Sequence, residues 1–267
     1  MKPETRPLIP VFRNPLAVFG SISVMIPAYV RPIALFSLVA GVFGFASVVA
    51  PAQSGSFDVA QNGHAVGTAS FQFTATPQGY DSASMVRVAM KGLDYALSKT
   101  EQLSSANHLK HVQLSATVNG SAVNVVAAPD AAEQILLNTS ADGHSTTTRL
   151  DGHAGAVFLP DFDPGALETL LALAVTQNGR GLWAILPKDA GSIEPVRLAT
   201  YADQQGTLDG KAIAVHHLVA TIAGADTDLF SGPEDQLLQA ELPQQGFALV
   251  RKGFVLTPPA KPIAPPE

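Results

Sequence analysis

Cysteine is absent from the 267 residues. This absence excludes structural disulfides, a thiol nucleophile, thiolate metal ligands and the lipid-modified cysteine that anchors exported lipoproteins. The chain also lacks a Gly-x-Ser-x-Gly elbow and a phosphate-binding glycine loop followed by lysine, so the usual starting points for hydrolase and nucleotide-binding functions are missing. We therefore expect a non-enzymatic protein without a cofactor, with a hydrolase as the less favoured reading.

Positive charge is scarce. Residues 53–267 carry 12 Lys+Arg and 21 Asp+Glu, which gives a formal charge of −9. A balance of this sign disfavours nucleic acid and anionic lipid surfaces as partners.

The N-terminal region has the three parts of an export signal. Arg31 supplies the positive charge, residues 33–49 form an apolar run, and Ala50-Pro51-Ala52 supplies small residues at the cleavage positions. We predict a signal peptide over residues 25–52, cleaved after Ala52, and a periplasmic or secreted protein. The alternative is an uncleaved membrane anchor, because the run approaches the ~20 residues that cross a bilayer.

The flanking segments do not resemble a folded domain. Residues 1–24 are odd for a signal and are interpreted as an extension from a misassigned start, with translation beginning at Met25. The last eleven residues, "TPPAKPIAPPE", contain five prolines and predict a disordered tail over 257–267. A single β-rich domain over residues 53–256 remains.

Alternation of apolar and polar residues dominates this domain. In "HAVGTASFQFTAT" the residues Ala69, Phe71 and Phe73 alternate with polar ones, as a strand with one buried face requires. Asn62-Gly63 and Asn119-Gly120 are strong hairpin signals, because both turn residues must accept positive φ. Further alternating segments follow at short intervals, so the sequence predicts an antiparallel sheet of about ten to twelve strands that must curl.

One segment does not follow this alternation of apolar and polar residues. "DPGALETLLALAVTQNG" has Asp163 as the expected N-cap, Pro164 at the first helical position and leucines at helical spacing. The predicted fold is therefore mainly β: a curled antiparallel sheet, half-barrel or open barrel, with one amphipathic helix packed on its concave face.

Three stretches carry a family resemblance: "FDVAQNGHAVGTASFQF", the central helix, and "DQLLQAELPQQGFALVRKGF". Together they resemble exported bacterial proteins of unknown function with the LolA/LolB kind of unclosed antiparallel barrel. The resemblance implies a cavity able to accept an acyl chain. The missing lipid-attachment cysteine departs from the membrane-anchored members and leaves a soluble carrier as the nearest analogue.

The curled sheet encloses more volume than one short helix fills, which predicts an apolar cavity. The alternative is a fully packed core, which protein interiors favour. Trp183 is read as core or as a ligand-stacking residue. Arg251 and Lys252 lie in an apolar strand and suggest either a charged edge strand or, for Arg251, a partner for a ligand's anionic end. The predicted ligand-binding residues are Phe71, Phe73, Val125, Leu167, Leu170, Leu171, Trp183 and Arg251.

Metal and carboxylate sites have weak sequence support. His144 and His153 stand in a repeated Asp-Gly-His and could meet across a tight hairpin, or could be two turn residues. Asp226 and Asp228 do not continue into calcium-loop spacing and are interpreted as a solvated loop. No metal site is predicted.

These observations favour an exported binding or carrier protein with an apolar groove for a lipid-like ligand. Its expected partner is an apolar or acyl molecule, with membrane contact only through the signal segment. The alternative is a structural or accessory envelope protein that binds another protein through a sheet edge or the proline-rich tail.

Overall fold

The computed structural model describes residues 53–188 and 191–258. The predicted start extension, the signal segment and residues 259–267 of the predicted tail lie outside this range. Thr257, the first residue of that predicted tail, is the last residue of a strand. Within the described range there is no helix whose length and apolar character would suffice to cross a membrane.

The described residues form seventeen strands and one helix, which is more strands than the sequence predicts. Their bounds are β1 Ser54–Gln61, β2 His64–Thr76, β3 Gly79–Met90, β4 Leu93–Ser104, β5 Leu109–Val118, β6 Ser121–Pro129, β7 Ile135–Ala141, β8 His144–Leu150, β9 Gly155–Phe158, α1 Pro164–Thr176, β10 Leu182–Leu186, β11 Ser192–Thr200, β12 Gln204–Leu208, β13 Lys211–Ile222, β14 Ala225–Ser231, β15 Leu237–Leu242, β16 Phe247–Arg251 and β17 Phe254–Thr257.

The strands form one large curled sheet. Its order is β8-β7-β6-β5-β4-β3-β2-β1-β16-β15-β14-β13-β11-β10-β9. Strand β12 pairs with the first half of β13 and with β17. Within the described residues β8 pairs only with β7 and β9 only with β10, so the sheet is not closed into a barrel.

Asx-Gly turns connect many neighbouring strands. Asn62-Gly63 and Asn119-Gly120 both have positive φ at the two turn positions, as the sequence predicts for two-residue hairpins. Asp142-Gly143 and Asp209-Gly210 do the same. The residues at these turns therefore determine where one strand ends and the next begins.

Helix α1 joins two parallel neighbours. Strand β9 pairs with β10 in parallel, and such a pair requires a crossover, which α1 provides. All four residues of β9 are buried, as is usual for a parallel strand covered on both faces. The crossover places α1 on the concave face of the sheet.

The helix is buried on nearly every side. Ten of its 13 residues are buried, including Glu168 and Thr169 on the face opposite the leucines. Gly165 permits the close approach to β3, because a Cβ there would lie 2.5 Å from Ser84 Oγ. The main core fills the space between α1 and the concave face, and burying each leucine contributes about 1.5–3 kcal/mol. A smaller core of Val215, Phe230, Leu238 and Phe254 lies under β12 and β17.

Candidate ligand crevice beside the helix

The N-terminus of α1 is fixed by a buried ion cluster. Lys99 Nζ lies 3.0 Å from Glu101 Oε2 and 2.7 Å from Asp163 Oδ2, and all three side chains are fully buried. Asp163 also caps α1, since its Oδ1 accepts from the backbone N–H groups of Gly165 and Ala166 at 2.9 and 3.3 Å. The predicted N-cap is confirmed. Its ion pair with Lys99 also links the cap to β4.

In this cluster the pKa values of Lys99 and Glu101 are shifted. Burial alone would lower the pKa of Lys99, but the carboxylates of Asp163 and Glu101 raise it above its ordinary value. Burial raises the pKa of Glu101, against the opposing effect of Lys99. Ser84 lies opposite Lys99 across β3 and β4. The cluster is therefore an anchor for the helix.

Residues 159–163 lead into α1, and we call them the helix-entry loop. The Leu159 N–H donates to Ile185 O at 2.9 Å, and the Tyr95 hydroxyl donates to Asp161 O at 3.4 Å. Burial and the nearby Asp161 and Asp163 raise the pKa of Tyr95, so this hydroxyl remains a donor at neutral pH.

Phe162 occupies an unusual position in this loop. Its φ is +58°, a conformation that a bulky residue rarely adopts. Its ring packs edge-on against Phe247 at 4.8 Å and against Tyr95 at 6.0 Å between centroids. Packing and the fixed cap that follows therefore hold the strained backbone in place.

A crevice of about 230 Å³ opens beside this loop, and we call it the apolar crevice. The helix-entry loop, Leu167 and the β13–β14 hairpin contribute most of its lining. An ion pair between Lys188 and Asp161, at 2.9 Å, borders it. Its lining residues are Leu159, Pro160, Asp161, Phe162, Asp163, Leu167, Leu186, Lys188, Ile222, Ala223, Ala225, Thr227, Leu242 and Leu249.

A second crevice, of about 240 Å³, lies on the other side of α1 beside Glu168, with Phe73, Tyr80 and Ala172 in its lining. Burial raises the pKa of Glu168 to about 7, although the Leu237 N–H donates to it at 2.7 Å and Arg251 lies nearby. Gln53 also donates to this carboxylate.

The predicted ligand-binding residues are spread over several environments. Four of them, Phe71, Val125, Leu170 and Leu171, are 1–3% exposed and belong to the main core. Leu167 lines the apolar crevice, and Phe73 lines the crevice beside Glu168. Half-buried Trp183 stacks on His153 at 3.8 Å. Of the eight residues, Leu167 alone reaches the apolar crevice.

Arg251 has backbone partners. Its Nη1 donates to Leu237 O at 3.0 Å and its Nη2 to Ser54 O at 2.5 Å. Strand β16 pairs with both β1 and β15, so the prediction of an edge strand is wrong. The physical reason is the pairing of β16 with β1, a strand that lies far from it in the sequence.

The aspartates interpreted as a solvated loop lie on β14 instead. Asp226 accepts from the Thr221 hydroxyl at 2.7 Å. Asp228 Oδ1 lies 2.8 Å from His217 Nε2, and the His217 ring stacks on Phe230. Among the described residues no group of three or more His, Cys, Asp or Glu side chains could hold a metal ion.

Sequence reasoning missed the ion cluster, although a signal was present. Lys99 and Glu101 occupy the same alternating positions of β4 as buried Tyr95, Leu97 and Leu103. Because alternate residues of a strand point to the same face, these two charges lie on the apolar face, where each needs a buried partner.

No family model, curated protein or solved structure matches the chain.

Proposed function

We propose that this chain is an exported, non-enzymatic binding protein that holds an apolar, lipid-like ligand in the apolar crevice. The backbone around the crevice carries the proposal. Ten non-glycine residues of the described range have positive φ, and seven of them are Asn or Asp. Two of the remaining three, Phe162 and Ala223, line the apolar crevice. Backbone strain of this kind concentrates at binding sites, where the surrounding packing maintains it.

The chemistry of the lining supports an apolar ligand. Side chains such as Leu167, Ile222 and Leu249 form most of the surface, and the charged Asp161 and Lys188 lie at its border. A head group at that border stays in water while its tail enters the crevice. The volume exceeds the ~150 Å³ that accommodates benzene and is below the ~300–1,000 Å³ of drug-sized sites. It therefore suits one end of an acyl chain.

An expected affinity follows from the volume. Burying about six methylene groups at ~0.8 kcal/mol each gives about 5 kcal/mol, or a Kd of about 0.2 mM. A longer chain that also covers the rim binds more tightly. The LolA/LolB-like resemblance of the sequence points to the same class of ligand.

Native mass spectrometry of protein purified from its own cells tests the proposal. A carrier retains an apolar molecule whose mass matches a lipid or fatty acid. The alternative, an accessory envelope protein, retains a partner chain instead. Recovery of bare protein under conditions that preserve weak complexes, together with no uptake of added fatty acid, would contradict the carrier function.

A further inference from the structure

Glu168 on helix α1 differs from the other buried carboxylates of the described residues. Three carboxylates are buried there, and Lys99 forms ion pairs with two of them, Glu101 and Asp163. The third, Glu168, is 4% exposed and forms no ion pair with a described residue. Buried charges in proteins are usually paired with an opposite charge. A buried carboxylate without such a pair therefore needs an explanation.

The neighbours of Glu168 do not compensate its charge. Its carboxylate accepts from two neutral donors, the Gln53 side chain and the Leu237 N–H. Arg251 and Asp235 lie near enough to influence this carboxylate, and their charges act in opposite directions. The guanidinium of Arg251 is itself engaged, because it donates to two backbone carbonyl oxygens. Two carboxylates and one guanidinium leave this region with a formal charge of −1.

Glu168 lines the second crevice, of about 240 Å³, which we call the Glu168 crevice. The aromatic side chains of Phe73 and Tyr80 line it as well, together with the methyl groups of Ala75 and Ala172. No lysine, arginine or histidine is among the described residues of this lining. A carboxylate beside two aromatic rings suits a cation with alkyl substituents, because aromatic faces attract positive charge and also make apolar contacts.

We propose that the Glu168 crevice binds a small organic ammonium ion. The charged nitrogen pairs with the Glu168 carboxylate, and the alkyl groups contact Phe73 and Tyr80. The volume exceeds the ~150 Å³ that accommodates benzene, so an ion of a few heavy atoms fits. The Glu168 crevice shares no lining residue with the apolar crevice, so this site goes beyond the proposed acyl-binding function and does not depend on it.

Binding should follow the ionisation of Glu168. Burial raises the pKa of this carboxyl to about 7, and only the ionised form pairs with a cation. The ionised fraction falls from about nine-tenths at pH 8 to about one-tenth at pH 6, so the affinity should fall about ten-fold. By reciprocity, a bound ammonium ion lowers the pKa of Glu168.

The test is a titration of the full-length protein with choline at pH 8 and at pH 6, followed by NMR of the Glu168 side-chain carboxyl carbon. We expect saturable shifts at pH 8 with a Kd of about 1 mM. Neohexyl alcohol, the uncharged isostere of choline, fills the same space without the charge and should bind at least about ten-fold more weakly.

Four variants identify the groups that bind. Glu168→Gln keeps the shape of the side chain without its charge and should abolish both choline binding and its pH dependence. Glu133→Gln, at an exposed glutamate between β6 and β7, should leave the Kd unchanged. Tyr80→Leu removes one ring and should weaken binding about five-fold. Tyr201→Leu, at a tyrosine that is 55% exposed and outside the crevice, should have no effect.

Three results would overturn the proposal: no saturable shift up to about 10 mM choline at pH 8, equal affinity for choline and neohexyl alcohol, or equal affinity of Tyr80→Leu and Tyr201→Leu. Dodecanoate binding is measured with the same proteins. Loss of choline binding alone leaves the carrier function standing, and loss of dodecanoate binding alone leaves this site standing.

Discussion

Lys99 on β4 and Asp163 at the start of α1 are joined by a fully buried ion pair of 2.7 Å. The pair ties β4 of the sheet to the N-cap of helix α1. Because the helix-entry loop precedes this cap, the ion pair also fixes one wall of the apolar crevice.

Replacing Lys99 with Met leaves the carboxylates of Glu101 and Asp163 buried without a cation. We expect a loss of about 3–5 kcal/mol of unfolding free energy, measured by urea denaturation. Lys110→Met removes an exposed lysine that donates only to the backbone of Gln78, and should change stability by less than about 1 kcal/mol. Equal stability of Lys99→Met and the parent would show that the cluster does not anchor the helix.

Glu168 gives the fold a pH dependence. Its pKa of about 7 in the folded state lies above the ordinary value of 4.5, so the folded state binds more protons between these limits. The stabilisation that Glu168 contributes is therefore greatest below about pH 4.5 and declines as the pH rises to about 7, by at most ~3 kcal/mol. Glu168→Gln cannot ionise, and the difference in unfolding free energy between variant and parent should grow over this range. Parallel pH profiles of the two proteins would exclude this role for Glu168.

Leu170 is 1% exposed on the helix face that meets the core. Leu170→Asp places an unpaired carboxylate there, at a cost of several kcal/mol in a domain stable by about 5–15, so soluble protein should be lost. Val175→Asp, at a residue of the same helix that is 55% exposed, is the matched control and should remain soluble. Thermal unfolding of Leu170→Asp at the parent temperature would place the helix outside the core.

Elements that depend on neighbouring residues could be predicted from the sequence, and those that depend on distant residues could not. The hairpins at Asn62 and Asn119 and the helix beginning after Asp163 depend on neighbouring residues, so local patterns predict them. The four residues of strand β9 are all buried, so its sequence does not alternate between apolar and polar residues and does not indicate a strand.

The apolar crevice could not be predicted for a related reason. It is formed where the helix-entry loop meets the β13–β14 hairpin and the ends of β15 and β16. The pairing of β1 with β16 brings these elements together. The two strands are separated in the sequence by most of the domain's length. Alternation identified the inward-facing residues, but not which of them remain next to open space.

Ala223 offers a test of the strain on the crevice wall. It occupies, with φ +51°, the turn position that Asn or Asp fills in four other hairpins. Ala223→Gly should relieve the strain and raise the unfolding free energy by about 1 kcal/mol, which shifts Tm by ~2–4 °C. Ala106→Gly, at an exposed turn alanine without positive φ, should give no such gain. Equal responses of the two variants would mean that the turn is unstrained.

The most direct measurement is a titration with dodecanoate of the parent, Ala225→Phe and Ala83→Phe, followed by calorimetry. Ala225 lines the apolar crevice, and a phenyl ring there occupies the space of the acyl chain. Ala83→Phe adds the same ring on the outer face of the sheet and is the matched control. Our account predicts saturable binding to the parent and to Ala83→Phe, with a Kd of about 0.2 mM or lower, and at least a ten-fold loss in Ala225→Phe. No saturable binding to the parent, or equal binding to all three proteins, would contradict it.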